Sequence, residues 1–358
     1  MDLPAAGNVR PTMKKILSAV SGIILFGSLT AFAWDYEGHR MVNQIALASL
    51  PANFPAFVRS PAVQERITFL AGEPDRWRNT TDLPLKHFNG PDHYIALDEL
   101  EHYQLAPAAL SHFRYEFIGQ LAVARAAHPQ NFPPIDEARN EDKTRTLVGL
   151  LPWTLTEYYG KLKSGFSYLK TFEADGTPEE IANAQQNIIY IMGVMGHFAG
   201  DSTQPLHTTV HHHGWVGANP KNYATNSSIH GWVDGGYLNR AGIRFPEMRS
   251  RVRPAKVLSA TSPNAASPDI FPTVINFVLD QHKLVEPLYQ LNKDGVLSDH
   301  GEAGSKGRAF ITQQLLVGGQ FLGDLWFSAW QSATTDTFLK SQLAKRKLAE
   351  TAPATAKP

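Results

Sequence analysis

The 358-residue chain contains no cysteine. That excludes a disulfide framework, a thiolate metal site and a cysteine nucleophile. It also lacks an excess of charge, with 33 Lys and Arg against 33 Asp and Glu. Bulk cationic attraction is therefore not how it would hold nucleic acid, and any such chemistry must come from a local site. Sustained alternation of apolar and polar residues is missing, as is any internal repeat, so strands are not expected. What the chain does have is 43% hydrophobic residues, enough for a sizeable core, and 14 histidines. Imidazole and carboxylate chemistry is what this composition leaves.

The first residues read as an export signal. Arg10, Lys14 and Lys15 precede an apolar run from Ile16 to Phe32 that ends in Ala31-Phe32-Ala33. A charged n-region, an h-region and a small-x-small site make residues 1–33 a signal peptide. The strictly apolar stretch is short and interrupted by Ser and Gly, which argues against a retained anchor. Cleavage after Ala33 removes Asp2 with those three basic groups and leaves 30 basic and 32 acidic residues of the original 33 and 33. The expected mature protein is secreted or periplasmic, has no stable membrane insertion, and begins at Trp34.

The remainder reads as helices joined by Pro- and Gly-rich loops. Apolar residues at Met41, Val42, Ile45, Ala46 and Leu50 follow helical spacing, as do Val63, Ile67 and Leu70. Further helices are expected near 105–128, 144–170, 179–200, 270–292 and 306–333. Thr177-Pro178-Glu179-Glu180 is a start signal with an N-cap, a proline at the first position and acids in the first turn. The segment 208–227 is rich in His, Gly, Asn and Pro and reads as a surface loop. We expect one all-α, multi-helix domain over 34–335, followed by a flexible tail over 336–358, biased toward Lys, Ala, Pro and Thr from Ser341 onward.

Three clusters carry the chemistry. His197 and Asp201 are four residues apart, so a helix presents both on one face. Gln204-Pro205 then turns the chain and brings His207 back toward them. N and O ligands on a rigid element suit Zn²⁺ where thiolates are absent; a helix end capped by Asp and His is the plain alternative. His230 and Asp234 repeat the four-residue step, which is less easily an accident beside the first pair. The third cluster is Trp34-Asp35-Tyr36-Glu37-Gly38-His39. A freed α-amino group, with a pKa near ~8, can bind metal through nitrogen, so cleavage would create a ligand.

On these residues the chain resembles the S1/P1 nuclease family and its relative, zinc-dependent phospholipase C. The similarity runs over most of the mature chain, and its specific part is about nine positions. The Trp34–His39 step is that of the nuclease branch. Asp75 in Gly-Glu-Pro-Asp-Arg-Trp and His93 in Asp-His-Tyr-Ile match the next two ligands. His197, Asp201, His207, His230 and Asp234 match the remainder, with Trp232 one place earlier than usual. The resemblance implies an all-α exported enzyme with three zinc ions. One ion would take Asp75, His93, His197 and Asp201. A second would take the Trp34 amino and carbonyl groups, His39 and the shared Asp201. A third would take His207, His230 and Asp234. Two close ions bridged by Asp201 would acidify a shared water, and the third would steady the departing oxygen of an in-line displacement at phosphorus. Asp75 would orient the attacking water, Arg78 would pair with a phosphate oxygen where relatives carry Lys, and Tyr94 would stack on a base.

The implied activity is hydrolysis of single-stranded DNA or RNA to 5′-phosphorylated products, with 3′-nucleotidase activity. Two features depart from the pattern. Ala96 stands where an Asp is expected to bond the base, which keeps a phosphatidylcholine-type phospholipase C as the alternative. The loop after His207 carries His211, His212 and His213, readable either as substrate or metal contacts or as a solvated loop. A zinc-binding protein without turnover is the alternative from another class. Elsewhere Trp326, Phe327 and Trp330 read as core packing. His87, His102, His112, His128, His282 and His300 read as surface or hydrogen-bonded histidines, and Lys345-Arg346-Lys347 as a solvated face.

Overall fold

The computed structural model describes residues 34–258, 269–297 and 301–351. The expected signal peptide over 1–33, His300 and the last seven residues lie outside these. Among the described residues there is no strand, only an isolated antiparallel bridge between Ile95 and Gly149. The all-α expectation holds. No helix there is long and apolar enough to cross a membrane.

The helices run α1 (Tyr36–Ser49), α2 (Pro61–Leu70), α3 (Glu73–Arg78), α4 (Leu83–Asn89), α5 (Arg114–Ala127), α6 (Leu151–Asp175) and α7 (Pro178–Asp201). After a long irregular stretch come three short turns of helix, α8 (Ser228–Gly231), α9 (Tyr237–Arg240) and α10 (Phe245–Met248). The chain closes with α11 (Phe271–His282), α12 (Val285–Lys293), α13 (Gly301–Ser332) and α14 (Thr337–Thr351).

Helix α7 is the centre of the arrangement. Its start is a complete capping box: the Thr177 hydroxyl accepts from Glu180 N while the Glu180 carboxylate accepts from Thr177 N. That satisfies two amides that would otherwise be orphaned. Its later turns, Ile188 to Asp201, are buried almost without a break. Helices α1, α2, α6 and α13 pack around it. Ile45, Met192, Met195, Phe198, Leu322 and Trp326 belong to one apolar cluster, and Trp326 is the core residue its sequence suggested. Burying side chains of this size contributes roughly 1.5–3 kcal/mol each before the entropy of ordering them is subtracted. A second apolar cluster, with Phe117 stacked on Trp153 at 3.9 Å, supports residues 95–110 and 147–153.

Several boundaries differ from the sequence expectation, each for a tertiary reason. Helix α6 begins at Leu151, not at 144, because residues 148–151 pair across the chain. Ala96 N donates to the Val148 carbonyl (2.6 Å) and Leu150 N to the Pro91 carbonyl (2.7 Å). The 270–292 segment is two helices, interrupted at Lys283–Leu284. Within 208–227 the first residues form short 3₁₀ turns and only the remainder is irregular.

The expected flexible tail is corrected over most of its length. Thr337–Thr351 is helix α14, which packs on α6 and is tied to α7 through a side-chain pair. Arg346 forms a two-pronged pair with Glu180, at 2.7 and 3.0 Å, and Lys347 reaches Asp175 at 2.9 Å. Leu343 is buried beneath them. The basic triplet is thus partly a docking element. Composition alone suggested a frayed end because the acids that receive it lie some 170 residues away.

Gly149 holds the 148–151 turn at φ +101°, and a Cβ there would sit 2.0 Å from the Tyr94 carbonyl oxygen. Both the backbone region and the space exclude a side chain. Gly149→Ala should therefore cost about 2–4 kcal/mol, read as a lower urea midpoint. A midpoint within error of wild type would contradict this account of the turn.

Candidate metal centre

The site is assembled on the ends of helices. Helix α7 presents His197 and Asp201 from its last turn, both fully buried. Helix α1 brings His39 against them, its ring stacked on His197 with centroids 3.8 Å apart. That approach needs Gly200, where a Cβ would lie 2.6 Å from His39 Nδ1. Asp75 comes from α3, His93 from a 3₁₀ turn over Gly90–His93, and His207 from another over Pro205–Thr208. His230 and Asp234 lie on the α8 stretch, which continues through a wider π-type turn over Trp232–Gly236. Such turns re-aim side chains and recur at functional sites.

Three buried groups result, each able to hold a metal ion: Asp75, His93 and His197; His39, His197 and Asp201; His207, His230 and Asp234. The third is the set expected from the sequence. The first two differ from expectation in sharing His197, whose Nε2 lies 2.9 Å from His93 Nδ1 and 3.3 Å from Asp201 Oδ2. Asp201 faces both ways, with Oδ2 3.1 Å from His93 Nδ1 and Oδ1 3.6 Å from His39 Nε2. In the third group His230 Nε2 is 3.1 Å from His207 Nε2 and 3.0 Å from Asp234 Oδ2. Ligand atoms around a small tetrahedral cation sit about 3.3 Å apart, so these spacings suit one ion per group.

The chemistry of the donor set points the same way. Both ring nitrogens of His39, Nε2 of His93 and Oδ1 of Asp201 are buried with no hydrogen-bond partner. Unpaired buried polar atoms are costly and rare, and a bound ion is one explanation for them. The remaining nitrogens are directed: His197 Nδ1–H donates to the Ala71 carbonyl (2.7 Å) and His207 Nδ1–H to the His93 carbonyl (2.7 Å). Each therefore offers Nε2 as its free lone pair.

Titration behaviour follows burial. Desolvation, with Arg78 nearby, pushes His93 down to about 3. Desolvation and His212 push His230 down to about 3 as well, so both rings are neutral and fit to ligate. Burial also lowers His39 and His207. For Asp201, burial is outweighed by His197 and His207, and its carboxyl stays ionised. Asp234 goes the other way: burial raises it well above its ordinary value, although Gln204 donates to it. A cation beside it would reverse that preference.

Trp34, the expected terminal ligand, is fully buried in the same region. Its indole Nε1–H donates to Thr203 Oγ1 (3.4 Å), and the next residue's amide, Asp35 N, donates to the Asp234 carbonyl (3.0 Å). Arg78 Nε–H donates to Asp75 Oδ1 (2.7 Å), while its Nη2 is buried without a partner. Beside the metal groups lies a cleft of about 270 Å³ whose lining includes Arg78, Tyr94, Ala96, His207, His212 and His230. Burial raises the Tyr94 hydroxyl to about 12, so it stays protonated. Sequence reasoning placed Gln204 only in a turn and assigned no role to Glu99 or Arg145, which also line this cleft. Gln204 lies inside the His197–His207 stretch and was findable, whereas nothing local marks the other two.

Among the residues read as bland, His112 pairs with Asp269, and His282 lies between Asp98 (3.2 Å) and Thr208 (3.2 Å). They are hydrogen-bonded histidines outside the metal groups.

In comparisons with known proteins, no family model matches this chain, and no curated protein matches it. The case for a function rests on the groups themselves.

The raised Asp234 yields a test in metal-free protein. A folded pKa above the ordinary 3.8 means that folding favours the protonated acid. That contribution is complete below the unfolded value and is lost as pH rises through the folded one. Asp234→Asn fixes the neutral form. The metal-free variant should melt above metal-free wild type at neutral pH, with the gap closing as pH falls toward the ordinary carboxylate range. A wild-type protein that melts higher at neutral pH would contradict this.

Proposed function

We propose that this protein is an exported phosphodiesterase of the S1/P1 nuclease type, working with three zinc ions on single-stranded DNA or RNA. The observation that carries the reading is the convergence of three metal-competent groups beside a cleft walled by Arg78 and Tyr94. Ions held there would supply a Lewis acid for water and for developing charge on phosphate oxygens. The protein's own residues do the rest. Asp75, held by Arg78, keeps its carboxylate aimed at the paired groups, where it orients a nucleophile for in-line attack. Arg78 turns its unpartnered Nη2 to a phosphate oxygen, a charge-assisted bond roughly twice as strong as a neutral one. Tyr94 offers a ring face to a base, with the His212 ring 6.4 Å away at 29° on the same cleft. Asp201 spans the paired groups, with one oxygen toward each, and would help hold an ion in either. That the products carry 5′-phosphates, and that a 3′-nucleotidase activity accompanies the cleavage, is what the family resemblance implies.

The cleft continues past Glu99 and Arg145 into a second of about 360 Å³, lined also by Arg125 and Arg139. Guanidinium groups there suit a chain with more than one phosphate. One feature supports a second reading. Leu147 is shared with an apolar cleft of about 670 Å³ lined by Ile118, Leu121, Phe132 and Ile135. With Ala96 in place of the base-binding acid, that surface suits the acyl chains of a phospholipid, the substrate of a phospholipase C.

The deciding experiment assays mature protein on single-stranded DNA, RNA and phosphatidylcholine, each with and without chelator. Chelator-sensitive cleavage of nucleic acid to 5′-phosphorylated products is the expected result. Cleavage of lipid alone would select the second reading, and metal binding with no turnover would leave a zinc-binding protein. The Trp34 ligand is tested separately. One extra residue before Trp34 should lower activity at least tenfold and release one zinc per chain; full activity with three zinc ions bound would remove Trp34 from the ligand set.

A further inference from the structure

The three histidines after His207 have three different surroundings. His211 is stacked flat on Trp215, with centroids 4.0 Å apart and planes 8° apart, and its Nδ1 accepts from Val216 N (3.2 Å). It is a packing residue. His212 bonds the Thr209 carbonyl through Nδ1 (3.2 Å) and faces Tyr94 across the cleft. Of the three, His213 is the one at hydrogen-bond distance from the metal groups: its Nδ1 lies 3.2 Å from His230 Nδ1, with ring centroids 4.9 Å apart, while the His212 ring is 6.1 Å from that of His230.

Which nitrogen of His230 is free follows from its contacts. Nε2 lies against His207 Nε2 and Asp234 Oδ2, so it is the atom that would ligate and must carry no proton. A neutral ring then holds its proton on Nδ1, and among the described residues the partner of that atom is His213 Nδ1. The equivalent outer bonds of His197 and His207 end on main-chain carbonyls, which the fold supplies whatever the side chain. His230 differs in depending on a side chain.

We infer that His213 is the outer-sphere partner of the third group, accepting the Nδ1–H of His230 and so fixing the tautomer and ring angle with which His230 meets its ion. His213 falls outside the ligand groups themselves, so it is a positioning residue. It is also exposed on the cleft side, where a water can stand in for part of its function. The expected effect is therefore at the lower end of what such partners contribute, about tenfold in metal affinity. The inference rests on the third group holding an ion.

The test is a chelator-competition titration of metal-free, full-length protein with Zn²⁺, comparing wild type, His213→Ala and His213→Asn. Asn places Oδ1 where the imidazole has Nδ1 and so restores the acceptor. One binding step should weaken about tenfold in His213→Ala, the other steps should be unchanged, and His213→Asn should recover most of the loss. Wild-type affinity at every step in His213→Ala would overturn the role of His213. Equal weakening of all steps, or no recovery with Asn, would reduce it to a structural residue and overturn it also. Failure of the wild-type protein to bind Zn²⁺ would bring down the metal reading itself.

Discussion

The structure depends on how a carboxylate and several imidazoles are kept in a dry interior. Asp201 is fully buried, remains ionised, and has one oxygen facing His39 and the other facing His93 and His197. An isolated charge in such a place is prohibitively unfavourable, and hydrogen bonds relieve only part of it. His39, His93 and His207 are driven toward their neutral forms by the same burial, so apart from His197, which Asp201 and Asp75 raise against burial, these rings cannot supply the balancing positive charge. A divalent ion can, while using the lone pairs that the rings and carboxylates leave unpaired. An ion held there would for that reason couple metal affinity to folding stability.

The scaffold accounts for the precision. Helices α1, α3 and α7 carry His39, Asp75, His197 and Asp201, and helix backbones tolerate little drift. Packing of α7 against α1, α2, α6 and α13 fixes their relative positions through side chains that interdigitate at near-crystalline density. The walls of the cleft outside the ligand residues are loops and short 3₁₀ turns: residues 94–99, 145–147 and 208–212. On the proposed reading, substrate preference can change there without altering a ligand residue. The contiguous arginine-lined and apolar clefts are such features, and under the proposed function they would decide between nucleic acid and lipid.

Much of this was legible in the residues. The four-residue steps from His197 to Asp201 and from His230 to Asp234 place each pair on one face of any helix, and both segments are helical. Thr177 to Glu180 predicted a capped helix start, and the capping box is there. Other features were not legible. The start of α6 at Leu151 is decided by pairing with residues 91–96, the docking of α14 by acids on α6 and α7, and the join of His213 to His230 by the path of a loop.

The sequence by itself determined the secondary-structure class, the faces on which pairs of ligand-type residues fall, and the exclusion of cysteine thiolates from the chemistry. These depend on periodicity and composition, which act over a few residues. Only the tertiary structure decided that His197 and Asp201 would stand between two groups and that His230 would lean on His213. It also decided that Glu99 and Arg145 would join two clefts. Those are contacts between distant segments, set by how whole helices pack, and a local pattern does not encode them.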